Sequence, residues 1–314
     1  MKLSILEPLG IDMAKLRSMA DESVGGRMEI VCYDSRVEDA ETLIERSRDS
    51  DVVVLSNFKY SREVMSHCPN LKMVCVAFTG VDHVDLEYCR DHQITVCNCA
   101  GYSTVAVADL VFGMVISLAR NIPQCDAAVR SGGTKDGLVG FELEGKTFGV
   151  VGLGAIGQRV AKIASAFGCN VLGYNRSPKQ IEGVKQVVLE ELLANSDIVS
   201  LHIPQTSETV GLINRERLSL MKKNAFLINT ARGPIVDSEA LAWALKENII
   251  AGAAVDVFEK EPPIAKEHPL FSAPHLLATP HVAFASKQAF EKRAVIVFEN
   301  IIKWLDGKPQ NVIK

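Results

Sequence analysis

The sequence has no apolar run long enough to cross a membrane and no excess of positive charge. Its longest apolar stretches fall short of the roughly 18 residues of a membrane-spanning helix, and the N-terminal run stops at Glu7-Pro8, too early for a signal-peptide core. The 34 Lys and Arg are outnumbered by 38 Asp and Glu, so the formal net charge is −4. A dedicated nucleic-acid or membrane-surface protein normally needs a basic face. We therefore expect neither a membrane nor a nucleic-acid partner.

The eight cysteines include no Cys-x-x-Cys pair, and no His, Cys and Asp residues cluster with metal-ligand spacing. Most of the cysteines lie inside apolar runs such as "KMVCVAF", and the closest pair, Cys97 and Cys99, lies on a predicted strand. Buried thiols that stay reduced explain this pattern better than disulfides or a metal centre. We predict a cytoplasmic protein without a metal site.

Short apolar segments alternate with helical patterns along almost the whole chain of 314 residues. This alternation predicts an α/β protein with parallel sheets, and the length allows two domains. The first predicted strands are Leu3–Leu6, Glu29–Tyr33, Val52–Leu55, Met73–Phe78 and Thr95–Asn98. The predicted helices between them are Glu38–Arg48, Arg62–His67 and Leu86–His92.

A second strand series follows a long apolar helix that we predict at Val105–Arg120, with Ser103-Thr104 as its caps. The Gly-rich segment 131–140 is predicted to be a loop. The second strands are predicted at Phe148–Val151, Val171–Tyr174, Ile198–His202, Ala225–Asn229, Gly252–Val257 and Leu276–Thr279. A terminal helix is predicted at Ser286–Leu305.

A glycine motif lies between a predicted strand and a predicted helix. Gly152-x-Gly154-x-x-Gly157 follows the run "KTFGVV" and opens a helix whose first turn holds Ala155 and Ile156. In this context the motif predicts a dinucleotide site, because the glycines permit a tight turn, close approach of a pyrophosphate and close helix packing. The free N–H groups of the helix bind the phosphates. The alternative is a Gly-rich turn that binds no nucleotide.

The turn after the next strand discriminates between nucleotides. An NAD site usually carries Asp or Glu there to accept hydrogen bonds from the ribose 2′-OH, but this chain has Asn175, 175 − 157 = 18 positions past Gly157. Arg176 and Ser177 follow, and both side chains can bind a 2′-phosphate. We therefore favour NADP over NAD. The alternative is a solvated polar turn that tolerates NAD.

Four polar residues follow the ends of predicted strands in this second series. Arg232 and Asp256 come after two of them, Glu261 lies in the loop beyond Asp256, and His281 follows a third strand. Ligands bind outside the carboxyl ends of the strands in such sheets. A guanidinium can grip a substrate carboxylate, and an imidazole beside a carboxylate is suited to proton transfer. Each residue alone could be a surface, capping or turn residue.

These residues belong to motifs that resemble one family over essentially the whole chain. The segments "GKTFGVVGLGAIGQRVA", "LHIPQTSET", "FLINTARGPIVD", "AVDVFEKEPP" and "LLATPHVAFAS" resemble, in order, the signatures of the D-isomer-specific 2-hydroxyacid dehydrogenases. The resemblance implies that Arg232 holds the substrate's carboxylate and carbonyl oxygen, that His281 is the acid/base and that Glu261 supports it. It also implies that Asp256 meets the nicotinamide carboxamide.

The resemblance implies further binding residues. Those expected to line the cofactor are His202, Pro204, Thr230 and Thr104. Those expected at the substrate are Phe78, Thr79 and Gly80, through their backbone N–H groups, together with Asn98. Phe78 stands where small residues are common in the family, so it could either narrow the site or line it.

The resemblance also implies a discontinuous arrangement of two doubly wound parallel-sheet domains. A Rossmann-type NAD(P)-binding domain, residues 101–285, is expected to be inserted in a flavodoxin-like substrate domain, residues 1–100 plus 286–314. Family members usually form dimers through the nucleotide domain, with the long helix and the following loop as an arm. We therefore expect a homodimer.

The predicted activity is the NAD(P)H-dependent reduction of a small 2-oxo acid to its D-2-hydroxy acid, with glyoxylate or hydroxypyruvate preferred. The chain ends after the terminal helix, so we expect no added regulatory domain. This makes a D-3-phosphoglycerate dehydrogenase a less favoured prediction, although a short-form D-3-phosphoglycerate dehydrogenase stays an alternative. Formate oxidation is disfavoured because the acid Glu261 is present where formate enzymes carry glutamine. A nucleotide-sensing, corepressor-like protein is the alternative from outside the enzyme class.

Overall fold

The computed structural model describes residues 1–261 and 263–313. The chain divides into two compact units. Met1–Ser103 and Ala285–Lys314 form one of them, called here the split unit, and Thr104–Phe284 form the other, called the inserted unit. The inserted unit therefore interrupts the split unit in sequence.

The secondary structure alternates between strands and helices from end to end. The strands are β1 Lys2–Ile5, β2 Glu29–Cys32, β3 Val52–Leu55, β4 Met73–Val76, β5 Thr95–Asn98, β6 Thr147–Val151, β7 Asn170–Tyr174, β8 Val184–Gln186, β9 Ile198–Leu201, β10 Phe226–Asn229, β11 Gly252–Val255 and β12 Leu276–Ala278. The α-helices are α1 Met13–Val24, α2 Ala40–Ser47, α3 Arg62–Ser66, α4 Leu86–Asp91, α5 Thr104–Ala119, α6 Ile122–Arg130, α7 Ala155–Ala166, α8 Leu189–Asn195, α9 Arg215–Leu220, α10 Ser238–Lys246 and α11 Lys287–Leu305. Short 3-10 helices lie at Gly233–Ile235 and Pro269–Ser272.

The split unit is built on a five-stranded parallel sheet with the order β2-β1-β3-β4-β5. Its central strands, β3 and β4, are buried at every position, as expected where helices cover both faces. Helix α11 returns the chain to this unit and packs against β4 and α1. Its first turn is capped by Ser286, whose side chain accepts a hydrogen bond from the backbone N–H of Ala289.

The inserted unit is built on a seven-stranded parallel sheet with the order β12-β11-β10-β9-β6-β7-β8. The strand order reverses between β6 and β9, and a reversal of this kind opens a crevice for a ligand. Alternate residues of β10 enter separate cores: Leu227 packs in one, and Phe226 and Ile228 pack in the other. Both faces of the sheet are therefore covered.

The predicted fold class is confirmed, because two parallel, doubly wound sheets account for the two strand series. Helices α1 and α6 and strand β8 were not predicted, no bounds were predicted for α8, α9 and α10, and β4 was predicted to reach Phe78, whereas it ends at Val76. Helix α1 was not predicted because only Leu16, Ala20 and Val24 are buried, so the apolar pattern in its sequence is weak. Helix α6 was not predicted because none of its residues is buried, so its sequence has no apolar face directed at a core.

Helices α5 and α6 differ in how they use their apolar residues. Helix α5 packs on α7, β10 and β11, whereas α6 leaves Ile122 and Val129 exposed, and Val139 beyond it is 84% exposed. In the described part of the chain no single helix is long and apolar enough to cross a bilayer. Taken together, α5 and α6 meet the length and composition criterion, but they are bent by 57°.

All eight cysteines are free, and six of them are buried. Burial raises the pKa of the Cys89 thiol to about 11 and that of Cys97 to about 12. These thiols therefore stay protonated and unreactive at neutral pH.

Candidate active site

The glycine motif forms the turn from β6 into α7. Gly152 has a φ of +98°, and a Cβ there would lie 2.5 Å from the carbonyl oxygen of His202, so only glycine fits. A Cβ at Gly157 would overlap the carbonyl oxygen of Gly152, whereas a Cβ at Gly154 would meet nothing within 4 Å. The turn is thus tight towards the sheet and open at Gly154, as a pyrophosphate cradle requires.

The N-terminus of α7 is left without a side-chain cap. Gly154 holds the N-cap position and offers no side chain, and the helix continues through Ala155 and Ile156. By contrast, the N-terminus of α10 is capped by the carboxylate of Asp237, which accepts a hydrogen bond from the backbone N–H of Ala240. The first N–H groups of α7 are therefore suited to bind phosphate oxygens.

The turn after β7 is tied to the glycine turn through Leu153. The Oδ1 atom of Asn175 accepts a hydrogen bond from the Leu153 N–H at 3.1 Å, and its Nδ2 donates to the Ser177 carbonyl at 2.8 Å. The Nζ atom of Lys179 donates to the Leu153 carbonyl at 2.9 Å. Asn175 therefore fixes the shape of both turns and places no carboxylate at the ribose position.

Arg176 extends from the same turn into solvent. Its Nη1 atom lies 3.6 Å from Oε2 of Glu208, a residue of the loop after β9, and the two side chains are 85% and 73% exposed. Such a long, exposed ion pair is weak. A phosphate group can therefore compete with Glu208 for the guanidinium.

The predicted residues that line the cofactor lie at strand ends and at the start of α5. The Nε2 atom of His202 lies 2.8 Å from the Ser200 hydroxyl, and burial lowers the pKa of His202 to about 3, so this ring is neutral at physiological pH. Thr230 is 8% exposed, and its Oγ1 is a buried atom without a hydrogen-bond partner in the described residues. Buried hydroxyls are normally paired, so Thr230 is available to a ligand. Pro204 is exposed, and Thr104 begins α5.

Arg232 lies in a turn that Asn229, the last residue of β10, holds in shape. The Oδ1 atom of Asn229 accepts a hydrogen bond from the Ala231 N–H at 3.1 Å, and its Nδ2 donates to the Arg232 carbonyl at 3.0 Å. A Cβ at Gly233 would overlap the backbone of Phe258. The turn that carries Arg232 is therefore packed directly against the loop after β11.

His281 and Glu261 are in contact. The Nδ1 atom of His281 lies 2.5 Å from Oε2 of Glu261, and the two side chains are 21% and 20% exposed. The other carboxylate oxygen, Oε1, accepts a hydrogen bond from the backbone N–H of Phe258. Glu261 is thus held by the loop after β11 while it orients the imidazole.

Backbone hydrogen bonds join the Arg232 turn to the His281 turn through Asp256. The Asp256 N–H donates to the Asn229 carbonyl at 2.9 Å, and the His281 N–H donates to the Asp256 carbonyl at 2.7 Å. Asp256 itself is completely buried, and the hydrogen bonds to its carboxylate come from within the protein. Arg232, Glu261 and His281 are therefore carried by adjoining turns at one edge of the sheet.

The predicted substrate residues of the split unit follow β4 and end β5. Asn98 donates a hydrogen bond from Nδ2 to the Thr79 carbonyl at 2.7 Å, which fixes the loop after β4. Phe78 is 5% exposed, and its ring centroid lies 6.1 Å from that of Tyr102. Its side chain therefore packs inside the split unit, while Thr79 is exposed and Gly80 is half-buried.

Three polar residues that shape the site were not identified from the sequence: Asn229 and Ser200, which are buried, and Thr279, which is half-buried. Asn229 and Ser200 lie in strands whose other residues are apolar, and a polar side chain in such a strand was the signal that could have identified them. Among residues 1–261 and 263–313, no group of three or more His, Cys, Asp or Glu residues could hold a metal ion.

Known proteins resemble this chain both in sequence and in structure. A family model described as "D-isomer specific 2-hydroxyacid dehydrogenase, NAD binding domain" matches residues 112–283. A glyoxylate reductase of Thermococcus litoralis is 40% identical over 86% of this chain and 86% of its own length. A D-3-phosphoglycerate dehydrogenase of Methanocaldococcus jannaschii is 39% identical over 99% of this chain, which spans only 59% of that relative.

A solved structure of an acyclic imino acid reductase in complex with NADPH and D-Arg superposes with a TM-score of 0.92 at 34% identity, and each chain is covered completely. The family model covers more than half of the chain and includes the glycine turn, Arg232, Glu261 and His281. By these matches and by its nucleotide-binding sheet, the chain belongs to the D-isomer specific 2-hydroxyacid dehydrogenases, a family of NAD(P)-dependent oxidoreductases.

Proposed function

We propose that this protein reduces a small 2-oxo acid to its D-2-hydroxy acid, with glyoxylate or hydroxypyruvate as the preferred substrate. The observation that carries the proposal is the Glu261–His281 pair, with its Nδ1 to Oε2 distance of 2.5 Å, beside the turn that carries Arg232. The identity of 40% to the Thermococcus litoralis glyoxylate reductase supports the choice of substrate.

The proposed chemistry divides the work between the cofactor and three side chains. Reduction of the carbonyl group adds a hydride to carbon and a proton to oxygen. When bound, the reduced nicotinamide cofactor supplies the hydride. His281 in its protonated form donates the proton, and Glu261 orients the ring by accepting the hydrogen bond from Nδ1. Arg232 binds the substrate carboxylate through its planar guanidinium.

The cofactor preference that we propose is NADP over NAD. The turn after β7 carries Asn175 in place of an acid, and Arg176 and Ser177 are exposed beside it. The solved relative in complex with NADPH supports this choice. Gly152, Gly154 and Gly157, with the first turn of α7, are the proposed pyrophosphate site. Equal kcat/KM values for NADPH and NADH, or a preference for NADH, would contradict the assignment.

The second candidate function is oxidation of D-3-phosphoglycerate, which the 39% identity to the Methanocaldococcus jannaschii enzyme favours. The deciding experiment is a panel of glyoxylate, hydroxypyruvate, pyruvate and D-3-phosphoglycerate, each assayed with both cofactors. Each 2-oxo acid is also assayed with ammonia, because the solved relative is an imino acid reductase. We expect the highest kcat/KM for glyoxylate or hydroxypyruvate with NADPH. NADPH binding without turnover of any substrate would instead support a nucleotide sensor.

His281→Ala is the matched test of the proposed proton donor. We expect kcat to fall by about 100-fold or more, because a positioned general acid contributes about 10²–10⁴-fold. The dissociation constant for NADPH should stay within twofold of the parent, since the phosphate site lies on other turns. An unchanged kcat at neutral pH would eliminate His281 as the acid/base.

We also propose that the protein works as a homodimer in the cytoplasm. Helix α6 buries none of its residues and exposes Ile122 and Val129, and a partner subunit would cover this apolar surface. The free state of all eight cysteines fits a reducing compartment. Sedimentation equilibrium tests the dimer, and a single species of 34 kDa at micromolar concentration would refute it.

A further inference from the structure

We propose that Asp256 is a positioning residue whose buried carboxylate sets the turn that presents His281. The inference deepens the proposed function, because it assumes that His281 is the group to be presented. The resemblance assigns this acid to the nicotinamide carboxamide, and its contacts in the structure give it a second role within the protein.

The Asp256 carboxylate is occupied on both oxygens by the segment that carries His281. Oδ1 accepts hydrogen bonds from the Thr279 hydroxyl at 2.5 Å and from the Val282 N–H at 2.9 Å. Oδ2 accepts one from the Ala283 N–H at 2.8 Å. Asp256 has 0% of its surface exposed. Burial raises the pKa of Asp256, while the hydrogen bonds from Thr279, Val282 and Ala283 lower it.

These contacts select an unfavourable backbone conformation at His281. Its φ of 52° lies in the left-handed region, which is unfavourable for a residue with a Cβ. Successive N–H groups around such a residue form a concavity that binds anions. Here the anion is internal: Val282 and Ala283 supply the N–H groups, and Asp256 fills the concavity. Hydrogen bonds to a carboxylate are stronger than neutral ones, so they can offset the cost.

The backbone of Asp256 fixes the same turn from the other side. The His281 N–H donates to the Asp256 carbonyl at 2.7 Å and to the Thr279 carbonyl at 3.1 Å. The Thr279 N–H donates to the Val255 carbonyl at 3.0 Å. The backbone position of His281 is therefore set jointly by the segments that follow β11 and β12. Glu261 then needs only to orient the ring.

The test compares two variants that weaken this turn in different degrees. Asp256→Asn keeps the size of the side chain but places an amide N–H₂ against backbone donors. Thr279→Val removes one hydroxyl donor and leaves the carboxylate. We expect kcat to fall about 100-fold in Asp256→Asn, because a displacement of about 1 Å at the chemistry costs that much. A fall of about tenfold is expected in Thr279→Val, the equivalent of one hydrogen bond to a charged group.

The matched control is Asp197→Asn at the opposite end of the same sheet. The Asp197 carboxylate also accepts a backbone hydrogen bond, from the Thr147 N–H at 2.9 Å, and it pairs with Lys222 at 3.0 Å. We expect Asp197→Asn to lower the Tm and to leave kcat within twofold of the parent. A positioning effect is then separated from a general loss of stability.

Two further readouts do not depend on turnover. Amide hydrogen exchange at Val282 and Ala283 in the free protein should accelerate in both turn variants but not in Asp197→Asn. The dissociation constants for NADPH should stay within twofold in Thr279→Val and Asp197→Asn. If Asp256→Asn does not fold, Thr279→Val decides by the same measurements.

Two results would overturn the proposal. Unchanged exchange at Val282 and Ala283 in Thr279→Val, with unchanged kcat, would show that the carboxylate does not set the turn. Loss of NADPH binding in Asp256→Asn, with kcat preserved at saturating cofactor, would show that Asp256 contacts the cofactor. A full kcat in His281→Ala would instead refute the proposed role of His281 in catalysis. The hydrogen-exchange data would still test whether Asp256 sets the turn.

Discussion

Replacing Glu261 by glutamine tests whether the carboxylate of Glu261 assists His281 in proton transfer. The substitution keeps the size of the side chain and lets an amide oxygen accept the hydrogen bond from Nδ1 of His281. It removes the negative charge at Oε2, which lies 2.5 Å from that nitrogen. It also places an amide N–H₂ group against the Phe258 N–H, which in the parent donates to Oε1. The charge-assisted hydrogen bond that holds the imidazole is therefore replaced by a neutral one.

The size of the effect follows from the strength of the lost interaction. A hydrogen bond to a charged group contributes about 1.5 to 3 kcal/mol, and a neutral one contributes about 0.5 to 1.5 kcal/mol. The difference is about 1.4 kcal/mol, which corresponds to about a tenfold change in rate. The two side chains are only about one-fifth exposed, so solvent screens this difference little.

The assay is kcat in both directions at one neutral pH. Reduction of the carbonyl group requires a correctly held proton donor, so Glu261→Gln should lower kcat for reduction about tenfold. Alcohol oxidation passes through the same proton transfer in reverse, so its kcat should fall as well. An unchanged kcat in both directions would refute the pairing as the basis of the acid/base behaviour.

A matched control lies two residues away. Glu259 pairs with His268 at 2.9 Å, outside the turns that carry Arg232 and His281. Glu259→Gln removes an equivalent carboxylate from an equivalent imidazole in the same loop. We expect it to leave kcat within twofold of the parent in both directions. A fall in Glu259→Gln equal to that in Glu261→Gln would mean that the loop, and not the Glu261–His281 pair, controls the rate.

Four further outcomes follow from the described contacts. Gly154→Ala should keep its Tm, because its Cβ meets nothing within 4 Å, but NADPH titration should show at least about tenfold weaker binding. Gly233→Ala should lose about 3 kcal/mol of unfolding free energy in urea, because its Cβ overlaps the backbone of the loop after β11. Arg176→Ala should raise the dissociation constant of NADPH about tenfold without affecting that of NADH. Glu208→Gln should tighten NADPH binding slightly. Equal effects of Arg176→Ala on both cofactors would contradict the assignment of Arg176 to the 2′-phosphate. Val129→Asp should give monomers by sedimentation, and an intact dimer would exclude α6 from the interface.

The sequence was sufficient to predict every strand except β8, and the polar residues that follow the strand ends of the second series. Parallel strands buried on both faces, such as β3 and β10, have continuous apolar sequences that stop where the chain leaves the sheet. A polar residue after such a run must lie at a sheet edge. This rule predicted Arg232 and His281 at strand ends, and the structure places them on adjoining turns.

Long-range partners decided what the sequence could not predict. Whether the Asp256 carboxylate faces a ligand or the protein depends on Val282 and Ala283, which are 26 and 27 residues away. The same is true of Phe78, whose ring is buried against Tyr102. Helix α6 was missed for another reason: none of its residues is buried, so burial imposes no pattern on its sequence.

The interrupted course of the chain has a consequence for synthesis on the ribosome. The inserted unit, Thr104–Phe284, is complete before α11 emerges, so its sheet can form while translation continues. The split unit must wait for α11 and for the segment in which Asn311 and Ile313 hydrogen-bond to the edge of β5. At about 5 to 20 residues per second, this delay lasts on the order of tens of seconds. During that interval the nascent first hundred residues expose β4 and β5, and chaperones that bind unfinished sheets should associate with this protein there.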